Sequence, residues 1–201
     1  MRKSVKNIKI KKRKTRKNKI QRGGLPAHEV RDRITDEIMF YNRPQIVREI
    51  LQSAEDNFDI NHVFNGYTLL SLAAEYGRAD IVKILLENEA DPNRVSDMDM
   101  GTSSLVRATK NGHADVVEIL LKKGANVRHL DVMQHSSIWY AIDNQNYDIA
   151  RRLIREAFLQ AAVNGNVYTV ENATQDRVLG QGNPDVEEYF YKNFIIYNQD
   201  N

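Results

Sequence analysis

The chain has 201 residues, a formal net charge of +2 and no cysteine. The lack of cysteine excludes disulfides, thiolate catalysis and zinc sites built on cysteine, and it fits a reducing compartment. No apolar run approaches the roughly 20 residues that span a bilayer, and no secretory signal pattern is found, so we expect a soluble intracellular protein, cytoplasmic or nuclear.

The first segment of the chain is strongly basic. Residues 1–22 contain 12 Lys or Arg and no acidic residue, which leaves 17 basic and 27 acidic residues, a net charge of −10, for residues 23–201. A block of like charge with few apolar residues buries too little surface to offset its ordering entropy. We therefore predict a disordered basic tail and linker at residues 1–24.

Several roles are open for this tail. The run K-K-R-K at residues 11–14 suits a nuclear-import receptor, or an anionic partner such as nucleic acid or an acidic membrane, because Lys and Arg release counterions from phosphate. Organelle import and a solvated tail without a specific role are the other readings. The residues predicted to serve as anionic attachment or targeting signal are Lys11, Lys12, Arg13, Lys14, Arg16, Lys17 and Lys19.

Two later segments, residues 65–95 and 100–128, are near copies of each other at a spacing of 35 residues. Self-similarity at such a period indicates stacked supersecondary units, so function must be sought on a surface rather than in a pocket. The matching pairs are Gly66 and Gly101, Ala73 and Ala108, Gly77 and Gly112, and Val82 and Val117.

The pattern resembles the ankyrin repeat, a tight hairpin followed by two antiparallel helices. The residues that match are Thr68, Leu70, Ala73, Ala74, Gly77, Val82, Leu85, Leu86, Ala90, Asp91 and Asn93. The resemblance implies an all-α, ankyrin-type helical-repeat solenoid of helix-turn-helix units joined by short hairpin loops. The proline that the family carries inside the first helix is absent.

Two degenerate copies flank the clear ones, with Tyr41 in the upstream copy and Ser136 in the downstream copy. We predict a repeat array at residues 25–160, divided at about 31–63, 64–97, 98–130 and 131–160. In the last repeat Gln145 and Ala157 fall at the turn positions, and Trp139 should help to close the core. We predict a helical capping extension at residues 161–201. The alternative is that this segment docks into a partner.

Hydroxyl side chains and glycines mark the helix ends of the repeats. Thr68, Ser103 and Ser136 stand where they can cap first helices. Glu89 stands where Gly124 stands one repeat later, at a position where a left-handed backbone would strain a glutamate.

Signals for catalysis are weak. The family resemblance gives His113 a structural hydrogen-bonding role, and the spacing of His129, Asp131 and His135 in one loop is too unspecific for a metal site. We therefore predict no catalytic residue, no metal, no cofactor and no enzymatic activity.

The family resemblance implies that partners contact the hairpin tips and the exposed face of the first helices. We expect a monomeric, non-catalytic adaptor that binds an as yet unidentified protein, and the alternative is a binder of nucleic acid or acidic lipid through the tail. Val132 is expected to pack hairpin against hairpin. The predicted partner-binding residues, expected to be exposed, are Phe64, Tyr67, Glu75, Tyr76, Asp99, Met100, Thr102, Lys110, Asn111, Met133, His135, Asp143 and Asn144.

Overall fold

The computed structural model describes residues 24–96, 100–166, 168–179 and 183–199, without the side chains of residues 170–171 and 193–199. The predicted tail residues 1–23 and Asp99 lie outside the described residues. The described part of the chain forms ten α-helices and no strand, as the predicted all-α solenoid requires. The helices are α1 (Ala27–Asp36), α2 (Pro44–Gln52), α3 (Leu69–Glu75), α4 (Ala79–Glu87), α5 (Ser104–Lys110), α6 (Ala114–Lys122), α7 (Ser137–Asp143), α8 (Tyr147–Val163), α9 (Val170–Gln175) and α10 (Pro184–Gln199).

The helices stack in two rows. The first helices α3, α5 and α7 contact one another in order, and so do the second helices α4, α6 and α8. Because each amphipathic helix needs a neighbouring repeat to cover its apolar side, the rows share one hydrophobic core that continues through the array. Ala73, Ala108 and Ala141 are fully buried, and their small side chains let adjacent first helices approach closely.

The predicted hydroxyl caps are present at the first helices. The side chain of Thr68 accepts the N–H of Ser71 at 3.0 Å. Ser103 and Ser136 accept from the third residue of α5 and α7 in the same way. Each cap satisfies a helix N–H that has no partner inside the helix, which is worth about 1 kcal/mol.

A left-handed residue ends each first helix. Gly77 has φ +64° and Gly112 has φ +72°, and Gln145 takes the same place in the next repeat with φ +59°. After the second helices, Glu89 (φ +67°) and Gly124 (φ +79°) adopt the left-handed conformation that we predicted for this position.

Side-chain amides join the loops that follow successive second helices. Asn61 donates to the carbonyl oxygen of Glu89 at 3.2 Å and accepts the N–H of Asp91 at 2.7 Å. Asn93 repeats both bonds one unit later, to Gly124 and Asn126. The repeats are therefore tied together along this edge by polar contacts as well as by the core.

The first helical pair begins earlier than predicted. Helix α1 starts at Ala27, behind Pro26, and a π-helical turn (Glu37–Tyr41) continues it to Asn42. Asn42 has φ +49° and precedes Gly77 by 35 residues, so it is the turn residue of this repeat.

The predicted turn at Ala157 is wrong, because Ala157 is fully buried in the middle of α8. Helix α8 has 17 residues where α6 has 9, and the left-handed residue after it is Gly165 with φ +67°. The next cap, Thr169, follows Gly165 by only 4 positions, whereas Ser136 follows Gly124 by 12. The 8 residues added to the helix are thus missing from the hairpin, and the cap-to-cap spacing stays at 33.

The segment after α8 contains a fifth first helix that sequence reasoning did not recognise. Thr169 caps α9 by accepting the N–H of Asn172 at 3.2 Å, and Arg177 ends it with φ +58°. The N–H of Val178 donates to Ala173 at 2.8 Å, as the N–H of Arg78 donates to Ala73 in α3.

The C-terminal segment packs on the array through aromatic rings. Helix α10 contacts α8, and the ring centroids of Phe158, Tyr168 and Phe190 lie 5.3 to 5.9 Å apart. Tyr168 and Phe190 are fully buried in the same core as the repeats. The division into array and capping extension stays a prediction.

Candidate protein-binding surface

The hairpin tip before α3 is a two-residue turn. Phe64 and Tyr67 exchange both backbone hydrogen bonds at 2.8 Å, and Asn65 and Gly66 between them have φ +48° and φ +83°. Two successive left-handed residues define the turn type that matches the twist of paired strands, and Asn-Gly is its preferred sequence. The tip is therefore held rigidly in place at the start of the first helix.

The next two tips carry exposed apolar side chains and touch each other. Met100 (φ +49°) and Gly101 (φ +64°) repeat the geometry of the turn before α3. The N–H of Val132 donates to the carbonyl oxygen of Met100 at 3.0 Å, so the two hairpins are joined by the backbone. The expected packing of the Val132 side chain between hairpins is wrong, because this side chain is 64% exposed. The side chains of Met100, Val132 and Met133 remain exposed.

The opposite ends of the first helices present a second row of side chains. The last residue of each helix and the residue after it come just before the left-handed turn, and most of these side chains are exposed. Tyr76 is 38% exposed. The predicted residues in this row are Glu75, Tyr76, Lys110, Asn111, Asp143 and Asn144.

Sequence reasoning missed the two most exposed aromatic residues of this row. Phe40 is 68% and Tyr41 is 59% exposed, and they occupy in the first repeat the place of Glu75 and Tyr76. Asn42, with its spacing of 35 from Gly77, was the signal in the sequence that could have found them.

Tyr41 is fixed by an anchored arginine. The guanidinium of Arg43 lies 4.6 Å from the centroid of the Tyr41 ring, and it donates to both carboxylate oxygens of Glu37, at 3.0 and 2.5 Å. Glu37 is itself buried. The hydrogen bond to Glu37 raises the pKa of Arg43. Because the ring is held from one side, Tyr41 can contact a partner with little further loss of side-chain entropy.

Five predicted side chains are less exposed than we expected: Thr102 is buried, and Phe64, Tyr67, Glu75 and His135 are half-buried. Thr102 is only 8% exposed, so its prediction as an exposed contact residue is wrong. Phe64 and Tyr67 are half-buried, because both pack against the core under their own hairpin.

A buried arginine explains the position of Tyr67. The guanidinium of Arg107, on α5, lies 4.1 Å from the centroid of the Tyr67 ring and pairs with the carboxylate of Glu75. Arg107 is buried, and its charge lies between Tyr67 at the hairpin tip and Glu75 at the helix end, so it joins α3 to α5. Tyr67 and Glu75 therefore have structural partners within the array.

His135 belongs to a stack of three flat groups. Its ring lies parallel to that of Trp139 at 3.6 Å, and the guanidinium of Arg177 covers Trp139 at 4.3 Å. Arg177 also pairs with Asp143 at 2.7 Å. Trp139 was expected to close the core but is half-buried at the surface, where the segment after α9 holds it.

The loop at Asp131 is ordered by its carboxylate. Asp131 accepts the hydroxyl of Tyr140 at 2.6 Å and the backbone N–H groups of Met133 and His135. Burial alone would raise the pKa of Asp131, but these hydrogen bonds outweigh it and the pKa is lowered. Burial and the neighbouring carboxylate raise the pKa of Tyr140. The ammonium of Lys110 lies 4.8 Å from the Tyr140 ring, which links α5 to α7.

Two histidines of the repeats have structural contacts. His113 Nε2 lies 3.0 Å from the carbonyl oxygen of Glu75, as the family resemblance implied, and His129 Nε2 lies 2.6 Å from that of Gly101. Within the described residues no group of three His, Asp or Glu side chains is placed to hold a metal ion.

The geometry therefore consists of repeated helix pairs, left-handed turns at a fixed spacing and linked hairpin tips. A family model described as ankyrin repeats in three copies matches residues 38–131 and 94–167. The chain belongs to the ankyrin-repeat family. Ankyrin repeats are in general protein-interaction modules and are typically non-catalytic. No curated protein sequence matches the chain.

Among the helices that the structure describes, none combines the length and the apolar character that a membrane span requires.

Proposed function

We propose that this ankyrin-repeat chain is a non-catalytic adaptor that binds a partner protein through its hairpin tips and first-helix ends. The observation that carries the proposal is the exposure of Phe40, Tyr41 and Tyr76 at equivalent places in two adjacent repeats. Large aromatic side chains contribute most to protein interfaces where they can be buried by a partner. Their side of the array also carries charged groups, which provide a polar rim.

The hairpin tips extend this surface to the other end of the first helices. Met100 and Met133 are exposed at linked tips, and the thioether side chain adapts its shape to a partner. Of the remaining predicted contact residues, Lys110, Asn111, Asp143 and Asn144 are exposed, whereas Thr102 is buried and makes no direct contact in this proposal.

Quantitative affinity capture from cell lysate tests the proposal. The full chain is compared with the triple variant Phe40→Ser, Tyr41→Ser, Tyr76→Ser and with a control pair, Leu159→Ser and Tyr191→Ser. The control residues are also exposed apolar side chains, but they lie on α8 and α10. We expect the triple variant to lose the captured protein and the control pair to retain it. Equal capture by all three proteins would contradict the proposal.

The basic tail supports a second candidate function, attachment to an anionic surface. The supporting observation is the separation of 12 basic residues in positions 1–22 from a remainder of net charge −10. A nuclear-import receptor, nucleic acid and acidic membrane all fit this charge.

Binding to duplex DNA and to phosphatidylserine vesicles tests this second function. A variant with Gln at Lys11, Lys12, Arg13, Lys14, Arg16, Lys17 and Lys19 keeps the chain length and removes seven charges. We expect the wild-type protein to bind and to lose affinity steeply between about 50 and 200 mM salt, because counterion release dominates such contacts. Binding that persists in the Gln variant would assign it to the array instead.

We also propose that the protein is an intracellular monomer. The exposed apolar side chains of the surface are then available to a different protein rather than to a second copy. Sedimentation equilibrium at micromolar concentration checks the monomeric state.

A further inference from the structure

An open cleft lies at the N-terminal end of the array, between α1 and the loop of residues 57–62. Its volume is about 390 Å³. This volume lies in the range of about 300–1,000 Å³ that is usual for small-ligand sites. Phe58, Ile60 and the buried Leu69 give the cleft an apolar wall.

Nitrogen-bearing side chains from two elements converge on the same cleft. His28 and Arg31 come from α1, and His62 comes from the end of the loop on the opposite side. His28 and His62 are exposed and Arg31 is half-buried, so their polar atoms can contact a ligand in the cleft without a change in the backbone.

The acidic groups near the cleft leave the Arg31 guanidinium available. Asp59 also lines the cleft, but its Oδ1 accepts the N–H of Asn61 at 2.9 Å and is therefore hydrogen-bonded within its own loop. Asp32 lies 3.6 Å from Arg31 Nε, beyond hydrogen-bond distance, and its side chain is exposed to solvent. The Arg31 guanidinium also lies over the ring of Phe64, at 5.3 Å from the centroid.

We propose that this cleft binds an organic anion that carries one carboxylate on a short apolar body. The apolar body lies against Phe58, Ile60 and Leu69, and the carboxylate accepts hydrogen bonds from Arg31, with His28 and His62 on the rim. The planar guanidinium suits a carboxylate because its N–H donors match the two oxygens. The carboxylate belongs either to a free aliphatic acid or to the C-terminus of a peptide. This site does not depend on protein binding by the tips and helix ends.

Titration of the full chain with hexanoate tests the site, with the imidazole signals of His28 and His62 followed by NMR. We expect saturable shifts of both signals and no saturable shift with hexanamide, which has the same body without the charge. N-acetyl-Gly-Leu with a free carboxylate is the second probe. Tighter binding of this dipeptide assigns the site to a peptide C-terminus, and tighter binding of hexanoate assigns it to a free acid.

Two charge variants complete the test. Arg31→Gln should weaken hexanoate about tenfold or more, since a hydrogen bond to a charged group is lost. Arg48→Gln, the same change on α2 outside the cleft lining, should leave the affinity unchanged. His62→Gln is a milder second variant at an exposed position, and it should weaken binding several-fold. No saturable shift with either acid, equal binding of the amide, or unchanged affinity in Arg31→Gln would each overturn the proposal.

Discussion

The imidazole ring of His113 occupies the space that a Cβ atom on Gly77 would need. His113 Nε2 lies 3.0 Å from the carbonyl oxygen of Glu75, and a Cβ built on Gly77 would meet three atoms of the ring at 2.6 to 2.9 Å. Gly77 also has φ +64°. Glycine is thus required at this turn for its backbone conformation and for the contact between neighbouring repeats.

Gly77→Ala should lower the free energy of unfolding by about 2–5 kcal/mol, the sum of a strained left-handed alanine and a forced repacking of His113. Gly101→Ala is the matched control, because Gly101 has the same φ of +64° and no atom within 4 Å of an added Cβ. It should cost only the backbone part, about 1–2 kcal/mol. Urea unfolding measures both values, and equal losses would show that His113 moves aside freely.

Glu89→Gly should raise the free energy of unfolding by about 1 kcal/mol. Glu89 has φ +67°, where a side chain is strained and glycine is not. Gly124→Glu, the reverse change at the equivalent turn, should lower stability by a similar amount. Thermal unfolding of both variants checks the pair, and a neutral Glu89→Gly would mean that its side-chain contacts offset the strain.

Asp176 should make the protein less stable as the pH rises above the ordinary pKa of an aspartate, about 3.9. Burial raises the pKa of Asp176, and hydrogen bonds from Ser136 and Tyr168 offset this only in part. The folded state therefore binds the proton more tightly, so stability from this group is fully present below its ordinary pKa of about 3.9 and is lost as the pH rises through the raised pKa.

Asp176→Asn removes this titration. Its stability relative to wild type should grow with pH between the ordinary and the raised pKa, with a slope of at most about 1.4 kcal/mol per pH unit. The exposed Asp56 provides the control Asp56→Asn, whose stability should stay parallel to wild type. Denaturant unfolding at several pH values gives the comparison, and parallel curves for Asp176→Asn would refute a raised pKa.

Tyr140→Phe should destabilise the protein by about 1.5–3 kcal/mol at neutral pH, since a hydrogen bond to a charged carboxylate is removed. The pKa of Asp131 is lowered, so its stabilising contribution is present above its ordinary pKa and is lost as the pH falls through the lowered value. The penalty of Tyr140→Phe should accordingly shrink below about pH 4. Tyr147→Phe, at a half-buried tyrosine on α8, is the control and should change stability little at either pH.

The repeat architecture could be predicted because its signals are local. Thr68, Ser103 and Ser136 cap helices where their spacing placed them, and Glu89 adopts the left-handed backbone inferred from its match to Gly124. Each of these features depends on one turn of backbone and a single side chain.

The features that were missed depend on compensating changes along the chain. Helix α8 continues through the expected turn at Ala157, because it is longer than the other second helices and the hairpin after it is correspondingly shorter. The repeat pattern is therefore not visible in the sequence until Thr169, where the cap spacing is regular again. Phe40 and Tyr41 were missed because the first repeat lacks the hydroxyl cap and begins behind Pro26.

The burial of the candidate surface also depends on contacts between repeats. Tyr67 was expected to be exposed, but Arg107 from the following repeat covers its ring. A single repeat gives no sign of this contact, because the pairing with Glu75 that holds Arg107 in place also crosses between repeats.

Hydrogen–deuterium exchange of the full chain, free and bound to the protein that it captures, tests the proposed surface most directly. We predict slower exchange in the bound state at residues 40–43, 75–78, 100–102 and 132–135, where the first-helix ends and hairpin tips lie, and no change in α8. Protection confined to α8 and α10, or to residues 1–22, would contradict binding through the tips and helix ends.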